Sequence, residues 1–184
     1  MLDVGCGIAS PLAAVRFRGF SVGVDLSAAA LRAAREAHTH AALVRADATD
    51  VARIFRPASV DAVVALDVIE HLERDAALAL VDALERVARR RVVVFTPNGF
   101  VPQAQATDNP HQEHRSGFTA DELRARGYRV RGMYGLSWLC GPFGEVRWAP
   151  GFLWRRVADL TAPVVYGVPR LAFALFCSKD MAAG

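Results

Sequence analysis

Only three cysteines occur in the 184 residues, Cys6, Cys140 and Cys177. Their number is odd, their spacing wide and no CxxC pair is present, which excludes a disulfide framework and a zinc ribbon. Lysine is almost absent: all but one of the 22 basic residues are arginine, Lys179 being the exception, and 19 acids leave a formal charge of +3. The arginines are scattered. Their densest group, Arg86, Arg89, Arg90 and Arg91, falls at the end of a predicted helix, where cations complement the helix dipole. The alternative reading of this cluster is a phosphate-binding role, although the charges do not form a clustered nucleic-acid groove. No apolar run approaches the roughly 18 residues that span a bilayer. The opening MLDVGCG has an acid and two glycines where an export signal has a basic start and an apolar stretch. The expectation is a reduced, cytoplasmic chain with no membrane span.

What the chain does have is core. At 53% hydrophobic and 22% charged, it can bury the interior of one domain, and neither an internal repeat nor a low-complexity linker divides it. Short apolar runs alternate with helical patterns, the rhythm of strand–helix units feeding a parallel sheet. Strands are expected at 1–4, 20–24, 41–45, 60–66 and 92–96, with helices from about Ser10, from Ser27 to Ala37, from Val51 to Phe55 and from Glu73 to Ala88. Residues 100–117 read as a long loop, a feature that in a compact domain usually has a function. Thr119 and Glu122 form a capping box for a helix over 120–126, and 128–133 alternates like a half-exposed strand. Residues 134–170, with Gly, Pro and Trp throughout, show no periodicity, and 171–178 is a last strand.

The strongest local signal is Leu2-Asp3-Val4-Gly5-Cys6-Gly7, a strand entering a glycine turn that opens a helix. Glycine lets a ligand approach the backbone, and a helix start offers unpaired amides to anionic groups. Asp25 follows 18 residues after Gly7, at the end of the second strand. A carboxylate there suits a ribose diol. Nicotinamide-binding folds share this much, but a GxGxxG pattern starting at Gly5 would need glycine at position 10, which is Ser10, and Asp3 stands where such sites carry an apolar residue. The plainer reading makes Gly5 and Gly7 a simple turn, and Asp25 and Asp47 caps.

With Gly-Val-Asp-Leu-Ser at 23–27, Arg-Ala-Asp-Ala at 45–48, the run from Val60 to Leu72 and Val-Val-Val-Phe-Thr-Pro-Asn at 92–98, the sequence resembles the class I S-adenosylmethionine-dependent methyltransferases. Five segments in the right order are far more specific than one glycine motif. The resemblance covers residues 1–135 and extends to the last strand. It implies an α/β fold with a single doubly wound, Rossmann-like, mostly parallel seven-stranded sheet, an antiparallel last strand, and no trace here of the helices that usually precede the first strand. One domain over 1–184 is expected, 1–99 forming the donor-binding core and 100–184 the acceptor-side loop and C-terminal strands. By position, Asp3, Gly5 and Gly7 lie by the methionine part, Asp25 at the ribose, Asp47 and Ala48 at the adenine, and Leu66 and Asp67 beside the methyl-donor pocket. Cys6 and Leu26 complete the cofactor-binding set, although the Cys6 thiol itself is expected to be buried and inert. Ala9 departs from the third glycine common in the family.

Two methyltransferase branches are similar in a second respect, the small-RNA 3′-terminal 2′-O-methyltransferases and the O-methyltransferases of ubiquinone synthesis. There a carboxylate-x-x-Glu-His run and a later loop histidine hold a divalent cation beside the hydroxyl to be methylated. Asp67, Glu70, His71 and His114 fall on those positions, with Asp67 one methylene shorter than the usual Glu and Phe118 replacing a flanking Trp. Such a mixed O/N set suits Mg²⁺, Mn²⁺ or Zn²⁺. Without a metal, His71 or His114 could act as general base; the competing reading makes Asp67 and Glu70 a capping pair. The expected activity is methyl transfer to a hydroxyl of a small or lipid-like acceptor, walled by Tyr134, Trp138, Phe143, Trp148, Phe152 and Trp154 unless these form a satellite core. Rivals are an RNA 2′-O-methyltransferase, a nicotinamide-dependent oxidoreductase and a non-catalytic nucleoside-binding module.

Overall fold

A computed structural model describes residues 1–8, 10–14, 19–102, 113–141 and 145–182. The apolar runs become strands: β1 (Leu2–Val4), β2 (Val22–Asp25), β3 (Ala42–Arg45), β4 (Val60–Leu66), β5 (Ala88–Pro97), β6 (Arg129–Leu136) and β7 (Ala172–Asp180). They form one seven-stranded sheet in the order β3-β2-β1-β4-β5-β7-β6. β1 pairs in parallel with β2 and β4, and β2 with β3, while β6 and β7 are antiparallel. The expected fold class is the observed one. Among the described residues no helix is long and apolar enough to cross a membrane.

By contact density the chain divides into two compact units. The first comprises Met1–Val68, Leu78–Val93 and the C-terminus from Asp180. The centre of its sheet is buried, with Leu2, Val4, Val24, Val63 and Ala65 fully enclosed, which is why β1, β2 and β4 read as apolar runs, whereas β3 is half-buried to exposed. Ser27 accepts a hydrogen bond from the Ala30 amide and starts α1 (Ala28–Glu36), whose small Ala30 and Ala34, one turn apart, are its buried face. The short α2 (Val51–Ile54) and most of α3 (Arg74–Val87) complete the unit. Before them, Pro11–Ala14 forms a 3-10 turn rather than the start of a described α-helix.

One expectation fails instructively. Arg89, Arg90 and Arg91 do not end a helix: α3 stops at Val87, leaving Arg86 in its last turn, and the other three arginines open β5. Arg89 Nε donates to Asp61 Oδ1 at 2.9 Å, Arg91 Nε to Asp180 Oδ1 at 2.7 Å, and the Arg90 carbonyl accepts from the Met181 amide at 2.8 Å. The Arg89 hydrogen bond holds the Asp61 carboxyl below its ordinary range. Partners far along the chain thus extend the strand where local helix periodicity points the other way.

The second unit comprises Ile69–Ala77 and Val94–Lys179. Its α4 (Ala120–Ala125) opens on the expected capping box, Thr119 Oγ1 receiving the Glu122 amide while a Glu122 carboxylate oxygen receives the Thr119 amide. Arg74 ties this end together, donating to the Gly117 carbonyl, pairing with Glu122, and lying over the Phe118 ring 4.1 Å from its centroid. Thr119→Ala is expected to remove about 1 kcal/mol, a fall in Tm of about 2–4 °C by calorimetry. The half-exposed strand at 128–133 is present and runs on to Leu136, with a register shift after Met133 where Tyr134 and Gly135 take positive φ.

The unreadable stretch 134–170 contains a 17-residue helix, α5 (Gly151–Gly167). Pro163 lies inside it and only Val165 is fully buried, so neither propensity nor an amphipathic stripe announces it. Packing does: a Cβ on Gly132 of β6 would sit 2.3 Å from the Val165 carbonyl, so glycine lets α5 lie against the strand.

Candidate functional site

In the first unit, β1 ends at Gly5, which turns with φ +71°, and Gly7 follows at φ +62°. The Gly5 and Cys6 amides both donate to the Val24 carbonyl, at 2.8 and 3.0 Å, which fixes the turn to β2. Gly5 is required twice over, by its dihedral and because a Cβ there would meet Val68 Cγ2 at 2.5 Å. Gly7 is required by its dihedral alone, since a Cβ there meets nothing within 4 Å. Cys6 is buried, and burial first, then Asp3 and Asp25, push its thiol up to about 12. The expected burial is thus observed, and such a thiol carries little thiolate at neutral pH.

Asp25 closes β2. Its Oδ2 accepts the Gly7 amide at 2.9 Å and its Oδ1 the Ser27 amide at 2.8 Å. A carboxylate has about four acceptor sites, so two bonds orient the group and leave capacity for a diol. Leu26 beside it is 40% exposed. Asp47 caps a short 3-10 turn beginning at Ala48, accepting both the amide and the hydroxyl of Thr49. Leu66 is the last residue of β4, and the exposed Asp67 follows with φ +54°. Ala9 lies outside the described residues.

The sequence reading missed His40. Its side chain is fully buried, and Nε2 lies 3.2 Å from Asp3 Oδ2, within ion-pair range but off the line of a good hydrogen bond. Asp3 is itself 1% exposed and receives the Ser10 hydroxyl at 2.6 Å. Burial raises the Asp3 carboxyl above the usual range, against the opposing pull of Ser10 and His40. Gly23 held the signal: a Cβ there would strike His40 Cδ2 at 2.6 Å, so the glycine of Gly-Val-Asp-Leu-Ser makes room for an imidazole.

In the second unit, Glu70, His71 and His114 converge, with one ligand atom from each all within 4.8 Å of one another. Asp67, the fourth expected ligand, is not in that group. Glu70 is 1% exposed. Its carboxylate accepts the Thr96 hydroxyl at 3.1 Å, and its backbone carbonyl accepts the amides of Arg115 and Ser116. His71 Nδ1 faces the Glu113 carbonyl at 3.2 Å and His114 Nδ1 the Val101 carbonyl at 2.7 Å. A carbonyl only accepts, so in each neutral ring Nδ1 carries the proton and the lone pair is on Nε2. Metal-binding histidines are commonly oriented this way. The two rings meet edge to face, centroids 5.0 Å apart. Residues 109–112 of the same motif lie outside the described residues.

The aromatic segment is not a satellite core. Tyr134, Trp138, Trp148 and Phe152 are each more than half exposed. Trp138 stacks edge to face on Trp154 at 6.1 Å and Tyr134 on Phe95 at 5.6 Å. Phe143 lies outside the described residues.

Comparison with known proteins agrees with this arrangement. The family model described as a methyltransferase domain matches residues 2–96, from β1 almost to the end of β5. No curated protein matches the chain. Among solved structures, a SAM-dependent methyltransferase from Archaeoglobus fulgidus is similar at TM-score 0.60 and 16% identity, over 97% of this chain and 84% of that one. Magnesium protoporphyrin IX methyltransferase from Synechocystis PCC 6803 is similar at TM-score 0.56 and 16% identity, over 98% and 69%. The methyltransferase domain of bacterial CtHen1-CN is similar at TM-score 0.55 and 18% identity, over 98% and 89%. A glycine turn locked to β2, an oriented carboxylate at the end of that strand and a family match spanning both together settle the assignment: the chain belongs to the methyltransferase-domain family, the class I S-adenosylmethionine-dependent methyltransferases.

Proposed function

We propose that this methyltransferase acts on a hydroxyl of a small or lipid-like acceptor, and that Glu70, His71 and His114 hold a divalent cation that assists the transfer. The observation that carries the reading is the convergence of those three side chains with both histidine Nδ1 atoms turned to backbone carbonyls. The donor set fits a metal. Three ligands about 2.2 Å from one ion lie about 3.1–3.8 Å apart, so atoms within 4.8 Å of one another reach a common ion with shifts of at most about 0.6 Å each. One carboxylate oxygen and two imidazole nitrogens suit Mn²⁺ or Zn²⁺ and tolerate Mg²⁺. Residues 1–99 would carry the donor site, and 100–184 the acceptor-side loop and C-terminal strands.

S-adenosylmethionine supplies the methyl as a sulfonium, and a divalent cation makes a hydroxyl beside it easier to deprotonate. The rest is the work of side chains. Asp3, Gly5, Cys6 and Gly7 would line the methionine part. Asp25 and Leu26 would hold the ribose, Asp25 being already oriented by the Gly7 and Ser27 amides. Asp47 and Ala48 would face the adenine, and Leu66 and Asp67 would flank the transferred group. In-line displacement needs alignment and a deprotonated nucleophile above all. Thr96 and the Val101 and Glu113 carbonyls hold the cluster in place for that. The exposed aromatics Tyr134, Trp138 and Trp148 favour an apolar acceptor. An RNA acceptor is disfavoured because Arg74, Arg89, Arg91, Arg124 and Arg170 are each paired with an acid.

Calorimetric titration with S-adenosylhomocysteine, in Mn²⁺ and in EDTA, tests both halves. The product is expected to bind in either buffer, and Mn²⁺ to bind near one equivalent. Absence of product binding, or stabilisation by a nicotinamide dinucleotide instead, would remove the donor assignment. Absence of Mn²⁺, Mg²⁺ and Zn²⁺ uptake would remove the metal.

A further inference from the structure

We infer that His40 is a positioning residue for the methyl donor: it holds the Asp3 carboxylate in place just ahead of the Gly5–Gly7 turn, and through the Ser10 contact to the same oxygen it steadies the far end of the donor-binding loop. The inference rests on the reading that this turn binds the donor. It stands on a continuous chain of contacts inside the first unit. Ser21 Oγ lies 3.4 Å from His40 Nδ1, His40 Nε2 lies 3.2 Å from Asp3 Oδ2, the Ser10 hydroxyl donates to that same oxygen at 2.6 Å, and Ser10 Oγ accepts the Leu12 amide at 3.2 Å. The chain starts at Ser21 just ahead of β2, runs through His40 just ahead of β3 to Asp3 in β1, and ends on the 3-10 turn, so it ties the strand that enters the Gly5–Gly7 turn to the segment that leaves it.

The chemistry gives the contact a purpose. A carboxylate 1% exposed pays a large desolvation penalty for its charge. Here that penalty pulls against the pairing with Ser10 and His40. The other titratable groups facing it are Asp25 at the end of β2, whose charge opposes ionisation of Asp3, and Cys6 in the turn, whose high thiol range leaves it uncharged. Among the described groups facing Asp3, His40 is the one that brings positive charge when it takes up a proton. An ionised Asp3 offers negative potential to the ammonium of an amino-acid-bearing donor; a protonated one does not.

The test is S-adenosylhomocysteine affinity against pH, from about pH 4 to 8, for wild type, His40→Gln, His40→Leu and Ser10→Ala, with thermal melts as a folding control. His40→Leu removes charge and polar contact together and is expected to weaken binding about tenfold at pH 8. His40→Gln keeps a polar donor and cannot take up a proton. It is expected to bind within about threefold of wild type at pH 8, with its acid limb displaced to higher pH, because a group that favours the carboxylate has gone. Ser10→Ala is expected to displace the limb in the same direction. Where His40→Leu does not fold, the Gln and Ala limbs decide. Limbs that coincide with wild type, or a folded Leu variant with unchanged affinity, would overturn the role of His40 while wild-type binding still supports the donor site. Wild type that fails to bind at all would instead overturn the donor site.

Discussion

Replacing His71 and His114 together with alanine is expected to abolish divalent-cation uptake and to slow methyl transfer to a hydroxyl acceptor by about 100-fold or more, with S-adenosylhomocysteine affinity within about twofold of wild type. The asymmetry follows from placement. The groups proposed to face the donor, such as Gly7 and Asp25, hydrogen-bond within the first unit, whereas the imidazoles and Glu70 are held in the second by the Glu113 and Val101 carbonyls and Thr96. Elemental analysis and calorimetry read the metal, and steady-state rates read the chemistry. Unchanged metal content in the double variant would sink the cation site and leave the donor site standing. Glu70→Gln separates the roles further. It preserves size and a hydrogen bond from Thr96 but removes the anionic ligand, so it should lose the cation while folding normally. Loss of folding on that change would mean that the buried Glu70 is a structural carboxylate.

Gly5→Ala is expected to destabilise the protein by about 2–4 kcal/mol, a fall in Tm of about 5–15 °C, and to eliminate measurable donor binding. Two penalties add. The dihedral, φ +71°, is one that a side chain resists. The new Cβ would also lie 2.5 Å from Val68 Cγ2 and 3.3 Å from Cγ1. Valine is stiff at χ1 and cannot swing aside cheaply. Gly7→Ala provides the control, carrying a similar dihedral cost, φ +62°, with no atom in the way. It should cost about 1–2 kcal/mol. Equal melts for the two variants would show that the Val68 contact contributes nothing.

The elements that were legible in sequence are those whose signal is local. Strand β4 occupies Val60–Leu66 as expected, Ser27 caps α1, and Thr119 with Glu122 builds the capping box of α4. In each case the stabilising partner lies within a few residues or the pattern itself is the cause. The opening of strand β5 ahead of the expected 92–96, and helix α5, were illegible for the opposite reason. Three arginines open β5 because Asp61 and Asp180 pair with two of them and Met181 hydrogen-bonds the third. Helix α5 rests on Gly132, which no window of the helix itself contains.

The site divides along the same line. The sequence alone determined the glycine turn, the Asp25 carboxylate at a strand end and the Glu-His pair at 70–71, because consecutive residues encode each of them. Only the tertiary structure decided which groups meet. It brought His114 to Glu70 and His71 across a separation of more than 40 residues and left Asp67 out of that group. It also placed His40 against Asp3, through room provided by Gly23. A chain whose three cysteines are free has no disulfide with which to fix a site. Here the fixing is done by buried polar contacts between residues far apart in sequence, whose geometry exists only once the sheet has formed.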